Sequence, residues 1–393
     1  MISYGKQSID QSDIDGVIDV LKGDWLTQGS AVETFENDLC IYFGAKHTCA
    51  VSNGTAALHL TAMALGWQPG EVIITTPITF LATVNCIVYV GATPDFVDID
   101  PVTYTIDPNR VEEKIKQLNS QGKRVKSVIG VDYAGHPCDW KALREIADSY
   151  ELQLVNDNCH AMGASYFDDK QYALKYADVV TQSYHSVKNI TTGEGGAITT
   201  NNKKTYEKLI RLRNHGLEKN QENFQLKNNS FTNDLNSPWY YEMQELGYNY
   251  RITDIQCALG LSQLKKIDKF IKRRRELAKK YDLAFENLKN CEPIQKNMRD
   301  FSSNHLYVLK INFKKLGKTR ERLMEEFKSA EIITQVHYIP VISHPYFQIK
   351  NYKNSNFPNS YNYYNSALSI PLFYALTDKQ QSYVIDQVKK LIG

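Results

Sequence analysis

The chain has 393 residues, of which 42% are hydrophobic and 23% charged, and its formal net charge is +2. That composition is typical of a globular protein with a sizeable core, and the near-neutral charge argues against nucleic-acid and membrane-surface partners. The start lacks the basic and apolar regions of a signal peptide, and the apolar runs are too short to span a bilayer. Seven scattered cysteines form no Cys-x-x-Cys pair, so we expect a protein of the reducing cytoplasm without a metal site.

The first two-thirds of the chain alternate strand-like and helix-like segments. The strand-like runs are HTCAV, EVIITTP, DFVDID, VKSVIGVDYAG, LQLVND, ADVVTQSY and GGAITTN. Between most of them lie segments of ten or more residues with helical spacing, such as NRVEEKIKQLN and DWKALREIADSY. Such spacing indicates parallel crossovers, and the sequence therefore predicts an α/β sheet covered by helices on both faces.

The pattern changes after this alternating region. Residues 217–236 contain six asparagines and have no helical or strand period, so they predict an exposed polar loop, either a flap over the substrate or a disordered insertion. From Thr253, a candidate N-cap, one long helix is predicted through CALGLSQLKKIDKFIKRRRELAKKYDLAFENL. A smaller α+β region follows, with HLYVLKINF as a strand and with helices at TRERLMEEFKSA and DKQQSYVIDQVKKLI. We therefore predict a large domain at 1–250 and, at 251–393, a connecting helix with a small C-terminal domain.

Two segments stand at the carboxyl ends of predicted strands, the edge at which open α/β sheets bind ligands. In SNGTAAL, the turn at Gly54, Thr55 and Ala56 offers free backbone N–H groups and a helix N-terminus to an anion, although an ordinary capped turn has the same pattern. In LVNDNCH, Asp157 follows an apolar strand directly and His160 comes three residues later. Taken alone, such an aspartate is more often a helix cap, and such a histidine is more often structural.

A third segment, SYHSVKNITTGEGGA, places Lys188 between a strand and a glycine-rich return. Ser183 lies five residues earlier, within reach of a phosphate, and Gly193–Gly196 permits close backbone approach to a bound group. A lysine with a lowered pKa forms an imine with a carbonyl cofactor, whereas a solvated surface lysine is the alternative interpretation. An anion cradle, the strand-end Asp157 and a lysine 31 residues after it together match pyridoxal phosphate. That cofactor needs phosphate donors, an imine lysine and a carboxylate that keeps its pyridine nitrogen protonated.

Further motifs occur along the whole chain. They are WLTQG, TTPITFLATVN, VDYAGHP, DNCHAMGA, RNHG, GYNYRITDIQCALGLSQL, SNHLYV and QVHYIPV. With these motifs the sequence resembles the sugar-nucleotide aminotransferases of the DegT family. The resemblance implies the aspartate-aminotransferase-like fold (pyridoxal-phosphate fold type I), with a large α/β lobe, a long connecting helix and a smaller α+β C-terminal lobe.

The resemblance also implies roles for matching residues. Lys188 is the expected cofactor-binding lysine and proton shuttle, Asp157 the partner of the pyridine nitrogen, and His160 a neighbour of the cofactor's phenolic oxygen. Phe80 is the expected aromatic that stacks on the cofactor ring. The expected phosphate ligands are Gly54, Thr55, Ala56 and Ser183, with Asn249 reaching over from the partner subunit of a homodimer with shared active sites. The expected substrate-side residues are Thr27, His215, Tyr250, Arg251, His337 and Tyr338.

The implied reaction moves an amino group from L-glutamate to C4 of a UDP-linked 4-keto-6-deoxy-N-acetylhexosamine, as in pseudaminic-acid biosynthesis. The product is UDP-4-amino-4,6-dideoxy-N-acetyl-β-L-altrosamine, and pyridoxamine phosphate links the two half-reactions. Lysine at 188 favours amination, because a subgroup of sugar dehydratases in the family has histidine there.

Several alternatives stay open at this stage. One alternative is that the substrate is another keto-sugar nucleotide, either a bacillosamine-type C4 ketone or a dTDP sugar aminated at C3 or C4. Two others are that the chain is a dehydratase and that it is a non-enzymatic sensor. KRRRELAKK (Lys272–Lys280) suggests a nucleic-acid binder, but its simpler interpretation is a solvated helix face with acidic neighbours.

Overall fold

The computed structural model describes residues 1–232, 235–348, 352 and 354–393. A seven-stranded mixed sheet lies at the centre of the N-terminal two-thirds, with the spatial order β1-β7-β6-β5-β4-β2-β3. Its strands are β1 (His47–Val51), β2 (Glu71–Thr75), β3 (Thr93–Phe96), β4 (Arg124–Val131), β5 (Gln153–Asp157), β6 (Val179–Ser183) and β7 (Gly196–Thr200). Strand β7 runs antiparallel to its neighbours β1 and β6, and the other neighbouring pairs are parallel.

Helices cover both faces of this sheet, as the alternating pattern predicts. They are α1 (Gln11–Lys22), α2 (Ser30–Phe43), α3 (Gly54–Ala64), α4 (Leu81–Tyr89), α5 (Pro108–Ser120), α6 (Trp140–Ser149), α7 (Tyr172–Tyr176) and α8 (Lys203–Arg213). Successive residues of one strand enter different cores: Leu154 packs with Trp140 of α6, whereas Val155 packs with Leu58 of α3. Burial on both faces explains why these strands are almost continuously apolar.

The connection between β6 and β7 contains no helix. Parallel strands need a long crossover, which is usually a helix. The shorter return here brings β7 back antiparallel to β6, so the sheet is mixed where the sequence predicts parallel crossovers. Tyr184 N–H donates to Gly195 O at 2.8 Å and Thr192 N–H donates to Tyr184 O at 3.0 Å, so the return is internally hydrogen-bonded. Lys188 lies at the tip of this ordered return.

The single long helix predicted from Thr253 is wrong, because the structure has two helices: α9 (Asp254–Leu264) and α10 (Ile267–Phe285). Thr253 is the N-cap, as predicted, and forms a capping box with Gln256. At the break, Lys266 turns its amine onto the buried Asp13 of α1 at 2.7 Å, and its N–H closes a short turn onto Gln263 O at 3.0 Å. The first of the two helices, α9, packs on α1, whereas α10 packs against α15 (Asp378–Ile392) and β12 (Cys291–Pro293) of the C-terminal region.

The C-terminal region is an α+β unit, as predicted. It contains a three-stranded antiparallel sheet of order β12-β13-β14 and a separate core in which Ile2 of the N-terminus also packs. Its remaining elements are β12 (Cys291–Pro293), β13 (Tyr307–Ile311), α11 (Phe313–Leu316), α12 (Arg320–Ser329), α13 (Pro345–Gln348), α14 (Pro358–Ser366), β14 (Ala367–Ile370) and α15 (Asp378–Ile392). The domain division at residue 250 stays a prediction.

The predicted polar loop 217–236 has more structure than expected, and its residues 233 and 234 lie outside the described residues. It begins with β8 (Leu217–Glu218) and contains β9 (Phe231–Thr232) and β10 (Leu235–Asn236), while β11 (Glu242–Met243), farther along the chain, pairs with β8. Glu242 accepts the N–H groups of Gln225 and Leu226 at 2.7 and 2.8 Å, and Phe224 is buried. Only part of the segment is therefore an exposed loop.

The basic run Lys272–Lys280 lies on α10. Arg274 is buried and donates to Leu372 O at 3.0 Å, and Arg273 donates to Asp378 at 3.0 Å. Lys279 pairs with Asp300 at 2.6 Å. Arg273, Arg274 and Lys279 therefore have partners within the protein. The sequence predicts a solvated helix face here, and this holds for only part of the run.

Candidate active site

A cleft of about 950 Å³ opens at the carboxyl ends of the parallel strands, between the sheet and the segment 335–344 of the C-terminal region. Eleven of the residues predicted from the sequence line it together. They are Gly54, Thr55, Ala56, Phe80, Asp157, His160, Ser183, Lys188, Tyr250, His337 and Tyr338. Because β1, β5 and β6 end at the same edge, the turns that follow these strands converge there from distant parts of the chain.

An anion cradle lies at the start of α3. Asn53 is the N-cap of α3, and its side chain accepts the Ala56 N–H at 2.8 Å. The sequence predicts a free N–H at Ala56, and this prediction is wrong. The N–H groups of Gly54 and Thr55 have no acceptor among the described residues. A Cβ at position 54 would lie 2.8 Å from Ser183 Cβ, so only glycine lets α3 approach the end of β6 this closely. Two amide donors, the Thr55 hydroxyl and the Ser183 hydroxyl thus border one part of the cleft.

Asp157 is the last residue of β5 and is only 5% exposed. Its Oδ2 accepts the hydroxyl of Thr83 at 2.6 Å, and its Oδ1 accepts Cys159 N–H at 3.3 Å. Thr83 in turn lies 2.8 Å from Thr79 through their hydroxyl oxygens. A nearly buried carboxylate is therefore held at the cleft wall by donors on both of its oxygens.

Lys188 reaches the same cleft from the tip of the β6–β7 return. Its backbone N–H donates to His185 O at 2.9 Å, and the next residue, Asn189, anchors the return by donating to Met162 O at 2.8 Å. Burial lowers the pKa of the Lys188 amine from its ordinary value, while the neighbouring Cys159 and Asp157 act in the opposite direction. A lowered pKa increases the fraction of the amine that is unprotonated and nucleophilic.

His160, His305 and His337 together form one part of the cleft lining, the histidine wall. The His160 ring lies 4.5 Å from the His305 ring between centroids, and its Nε2 lies 3.1 Å from the Tyr338 hydroxyl. Burial, with smaller effects from Lys188 and His337, keeps the pKa of His160 well below its usual range. Burial also lowers the pKa of His337 to about 3, and Lys188 contributes to that shift. These rings are consequently neutral at physiological pH.

Four predicted substrate-side or phosphate residues do not line this cleft: Thr27, His215, Asn249 and Arg251. Thr27 pairs with Thr253, and Asn249 pairs with Asn214, in isolated backbone bridges. The guanidinium of Arg251 hydrogen-bonds the Asn214 side chain, and His215 N–H donates to Tyr248 O at 2.9 Å. Within one chain, these residues form a neighbouring surface and do not belong to the cleft itself.

Several residues that shape the cleft are not predicted from the sequence. Asn53 caps α3, Thr83 binds Asp157, and His305 packs on His160. Tyr133 donates its hydroxyl to His337 O at 2.6 Å and so holds the C-terminal wall. Thr79 and Thr83 lie on either side of Phe80, the N-cap of α4, and are four residues apart in TTPITFLATVN. Their spacing is visible in the sequence, but the contact of Thr83 with Asp157 is not.

Sequence comparison then places the chain among known proteins. The DegT/DnrJ/EryC1/StrS aminotransferase family matches residues 7–389. The chain belongs to this family. A member at 37% identity is the spore coat polysaccharide biosynthesis protein SpsC of Bacillus subtilis, where the match covers 100% of this chain and 97% of the relative. The UDP-4-amino-4,6-dideoxy-N-acetyl-beta-L-altrosamine transaminase of Campylobacter jejuni is 36% identical over 100% of this chain and 98% of that protein.

Solved structures agree with this membership in the DegT family. PseC of Helicobacter pylori, an aminotransferase of pseudaminic-acid biosynthesis, superimposes with a TM-score of 0.88 at 30% identity, covering 100% of this chain and 99% of that chain. Related chains have been solved with pyridoxal phosphate or its amine form bound. This DegT-family chain is thus a pyridoxal-phosphate-dependent sugar aminotransferase with the α/β fold that the sequence predicts.

The cleft has the donor set that pyridoxal phosphate requires. Two amide N–H groups without an acceptor and two hydroxyls suit a phosphate, a nearly buried carboxylate suits a protonated pyridine nitrogen, and an amine with a lowered pKa suits the aldehyde. In the part of the chain that the structure describes, no group of three or more His, Cys, Asp or Glu side chains is placed to hold a metal ion. Likewise, no helix among the described residues is both long and apolar enough to cross a membrane.

Proposed function

We propose that this aminotransferase transfers the amino group of L-glutamate to C4 of a UDP-linked 4-keto-6-deoxy-N-acetylhexosamine. The product is UDP-4-amino-4,6-dideoxy-N-acetyl-β-L-altrosamine, a precursor of pseudaminic acid. Support comes from the Campylobacter jejuni transaminase and from PseC, which match the chain along its whole length and are named for this chemistry. SpsC, matched at similar identity, keeps a different keto-sugar nucleotide as the alternative substrate.

The observation that carries the proposal is the presence of Lys188 in the same cleft as Asp157 and the anion cradle. When bound, pyridoxal phosphate supplies an aldehyde for the amino group and a ring that withdraws electrons from the reacting carbon. Lys188 Nζ then has two tasks, to bind the cofactor covalently and to carry a proton to and from the reacting carbon. Burial lowers its pKa, so a larger fraction of the amine is unprotonated near neutral pH, and therefore able to accept a proton, than in a surface lysine.

Other residues bind and orient. We assign the Gly54 and Thr55 N–H groups and the Ser183 hydroxyl to the phosphate, and Asp157 to the pyridine nitrogen. We assign Phe80, whose ring is 56% exposed at the mouth of the cleft, to the face of the cofactor ring.

The walls of the cleft have their own tasks. We assign His160 to the neighbourhood of the cofactor's phenolic oxygen. Tyr250, His337 and Tyr338 line the remaining cleft and are our candidates for substrate contact.

We further propose that the enzyme is a cytoplasmic homodimer with shared active sites. Four residues that we expect at an active site lie outside the cleft of their own chain: Thr27, His215, Asn249 and Arg251. Residues that serve the active site of a partner subunit would lie in this way. Large apolar side chains such as Trp25 and Trp239 are 66% and 72% exposed in the single chain, which a subunit interface would cover. All seven cysteines are free, which suits a reducing compartment.

The proposed function is tested with a panel of keto-sugar nucleotides. The purified enzyme is incubated with isotopically labelled L-glutamate and with UDP- or dTDP-linked sugars carrying a ketone at C3 or C4, and NMR locates the labelled amine. We expect label at C4 of the UDP-linked 6-deoxy-N-acetylhexosamine. Label on another sugar alone refutes the proposed substrate, and a deoxy sugar without label indicates a dehydratase.

A further inference from the structure

Two buried hydroxyls connect the beginning of α4 to Asp157. The Oγ1 atom of Thr83 lies 2.6 Å from Asp157 Oδ2, and the Oγ1 atom of Thr79 lies 2.8 Å from that of Thr83. Thr79 and Thr83 are 2% and 1% exposed, so water cannot compete for these hydrogen bonds. The short first distance is typical of a hydroxyl that donates to an ionised carboxylate.

The chemistry of the three groups gives this chain one direction. An ionised carboxylate only accepts hydrogen bonds, and each threonine hydroxyl has a single proton to donate. Thr83 therefore donates to Asp157, which leaves Thr79 as the donor to Thr83. Bonds that run in one direction polarise one another, and each strengthens the next.

The second oxygen of Asp157 is held by the turn that follows β5. Oδ1 accepts Cys159 N–H at 3.3 Å, a longer and weaker contact than that of Oδ2. A carboxylate held at one oxygen rotates about its Cβ–Cγ bond, whereas one held at both has a fixed plane. The strong contact from Thr83 thus sets the orientation in which Asp157 faces the cleft.

The same helical turn also carries Phe80. Phe80 is the N-cap of α4 and lies between Thr79 and Thr83 in the sequence. It also lines the cleft. One rigid element therefore fixes both the aromatic at the cleft mouth and the hydroxyl that orients the strand-end carboxylate. Such shared support keeps the two groups in register with each other.

We propose that Thr83 is the positioning residue of Asp157, with Thr79 as its support, and that it holds the carboxylate toward the cofactor's pyridine nitrogen. This inference rests on the proposed function, because it takes Asp157 as the partner of that nitrogen. Thr83 acts through Asp157 and needs no contact with the substrate.

The test compares Thr83→Val, which removes the hydroxyl at similar volume, with Thr83→Ser, which keeps it. Thr75→Val is the matched control, since Thr75 is also a fully buried threonine but donates to Ile129 O at 3.1 Å in the sheet. The measurements are kcat, KM for glutamate, and the affinity of the apoenzyme for pyridoxal phosphate by equilibrium dialysis. We expect Thr83→Val to lower kcat and cofactor affinity roughly ten- to hundredfold with little change in KM, because it removes a hydrogen bond to a charged group.

Thr83→Ser and Thr75→Val should both stay close to the unmodified enzyme, and Thr79→Val should have a smaller effect than Thr83→Val. The inference is overturned if Thr83→Val matches the unmodified enzyme, or if Thr83→Ser or Thr75→Val is equally impaired. The variant Asp157→Asn distinguishes a failure of the role proposed for Asp157 from a failure of the role proposed for Thr83. If Asp157→Asn retains full cofactor affinity and turnover, the proposed role of Asp157 fails; if it is inactive while Thr83→Val is normal, only this inference fails.

Discussion

The hydroxyl of Tyr338 lies 3.1 Å from Nε2 of His160, within the histidine wall of the cleft. Tyr338 belongs to the C-terminal region, whereas His160 follows β5 of the large sheet, so the contact links these two regions of the chain. The neighbouring carbonyl of His337 is held from the sheet side by Tyr133 at 2.6 Å and from its own side by Tyr363 at 2.7 Å. Tyrosine hydroxyls thus fix the position of the histidine wall relative to Lys188.

The first prediction concerns this contact. Tyr338→Phe leaves Nε2 of the buried His160 without a partner, so the free energy of unfolding should fall by about 1–3 kcal/mol. Chemical denaturation of the apoenzyme measures this loss. Tyr346→Phe serves as the control, since Tyr346 is 62% exposed and should change stability by less than about 0.5 kcal/mol. Equal stability of both variants would show that the contact contributes nothing.

A second prediction concerns the close approach of Gly54 to Ser183. Gly54→Ala introduces a Cβ 2.8 Å from Ser183 Cβ, so the start of α3 or the end of β6 must shift. Because both border the anion cradle, we expect the affinity for pyridoxal phosphate to fall about tenfold or more, as a misplaced donor loses its charged hydrogen bond. Fluorescence titration of the apoenzyme measures this affinity.

Gly16→Ala is the matched control for that substitution. Gly16 lies inside α1, and a Cβ there has its nearest contact at 3.6 Å. Alanine is favoured over glycine in a helix by about 1 kcal/mol, so this variant should keep its cofactor affinity and gain slightly in stability. Unchanged cofactor affinity in Gly54→Ala would contradict the placement of the cradle.

The third prediction is acid destabilisation through His337. Its folded-state pKa is lowered to about 3, whereas an unfolded histidine titrates near 6.5. Between these values the unfolded chain binds the extra proton, so stability falls as the pH is lowered from about 6.5 toward 3, by about 1.4 kcal/mol per pH unit for this group. The pKa values of His160 and His305 are also held low by burial, and they add to the same slope.

The measurement is the free energy of unfolding as a function of pH for the unmodified chain and for His337→Gln. The variant should have a shallower decline between pH 6.5 and 4. The control is His344→Gln, because His344 is only half-buried. An identical slope in His337→Gln would contradict a neutral, buried His337.

Much of the fold was predictable because the central strands β1, β2, β5, β6 and β7 are almost wholly buried and therefore read as short apolar runs. Six of the seven strand-like runs, the N-cap at Thr253 and the α+β character of the C-terminal region are confirmed. The run DFVDID overlaps its strand, β3 (Thr93–Phe96), only at Asp95 and Phe96. The break between α9 and α10 was not predictable, because it depends on the contact of Lys266 with Asp13, about 250 residues away in the chain. Local helix propensity is favourable through the break, so only the tertiary contact distinguishes one helix from two.

The candidate site was predictable to the extent that its residues stand at strand ends. Asp157 and Lys188 were placed in one cleft by the parallel order of their strands. The occupation of the Ala56 N–H by Asn53 was missed because the cap and the anion cradle use the same turn. Thr83 was missed because its contact joins α4 to β5, which only the folded sheet brings together.

The account's central claim is that Lys188 is the group that makes this cleft an aminotransferase site. Its most direct test is transfer of labelled nitrogen from L-glutamate to the keto-sugar nucleotide by the unmodified enzyme and by Lys188→Ala, each supplied with pyridoxal phosphate. We predict label at the sugar carbon for the unmodified enzyme. For the variant we predict none at steady state, together with loss of the visible absorbance of lysine-bound cofactor, while Asp157 and the anion cradle still retain pyridoxal phosphate. Label transfer by Lys188→Ala at a rate close to that of the unmodified enzyme would contradict the account.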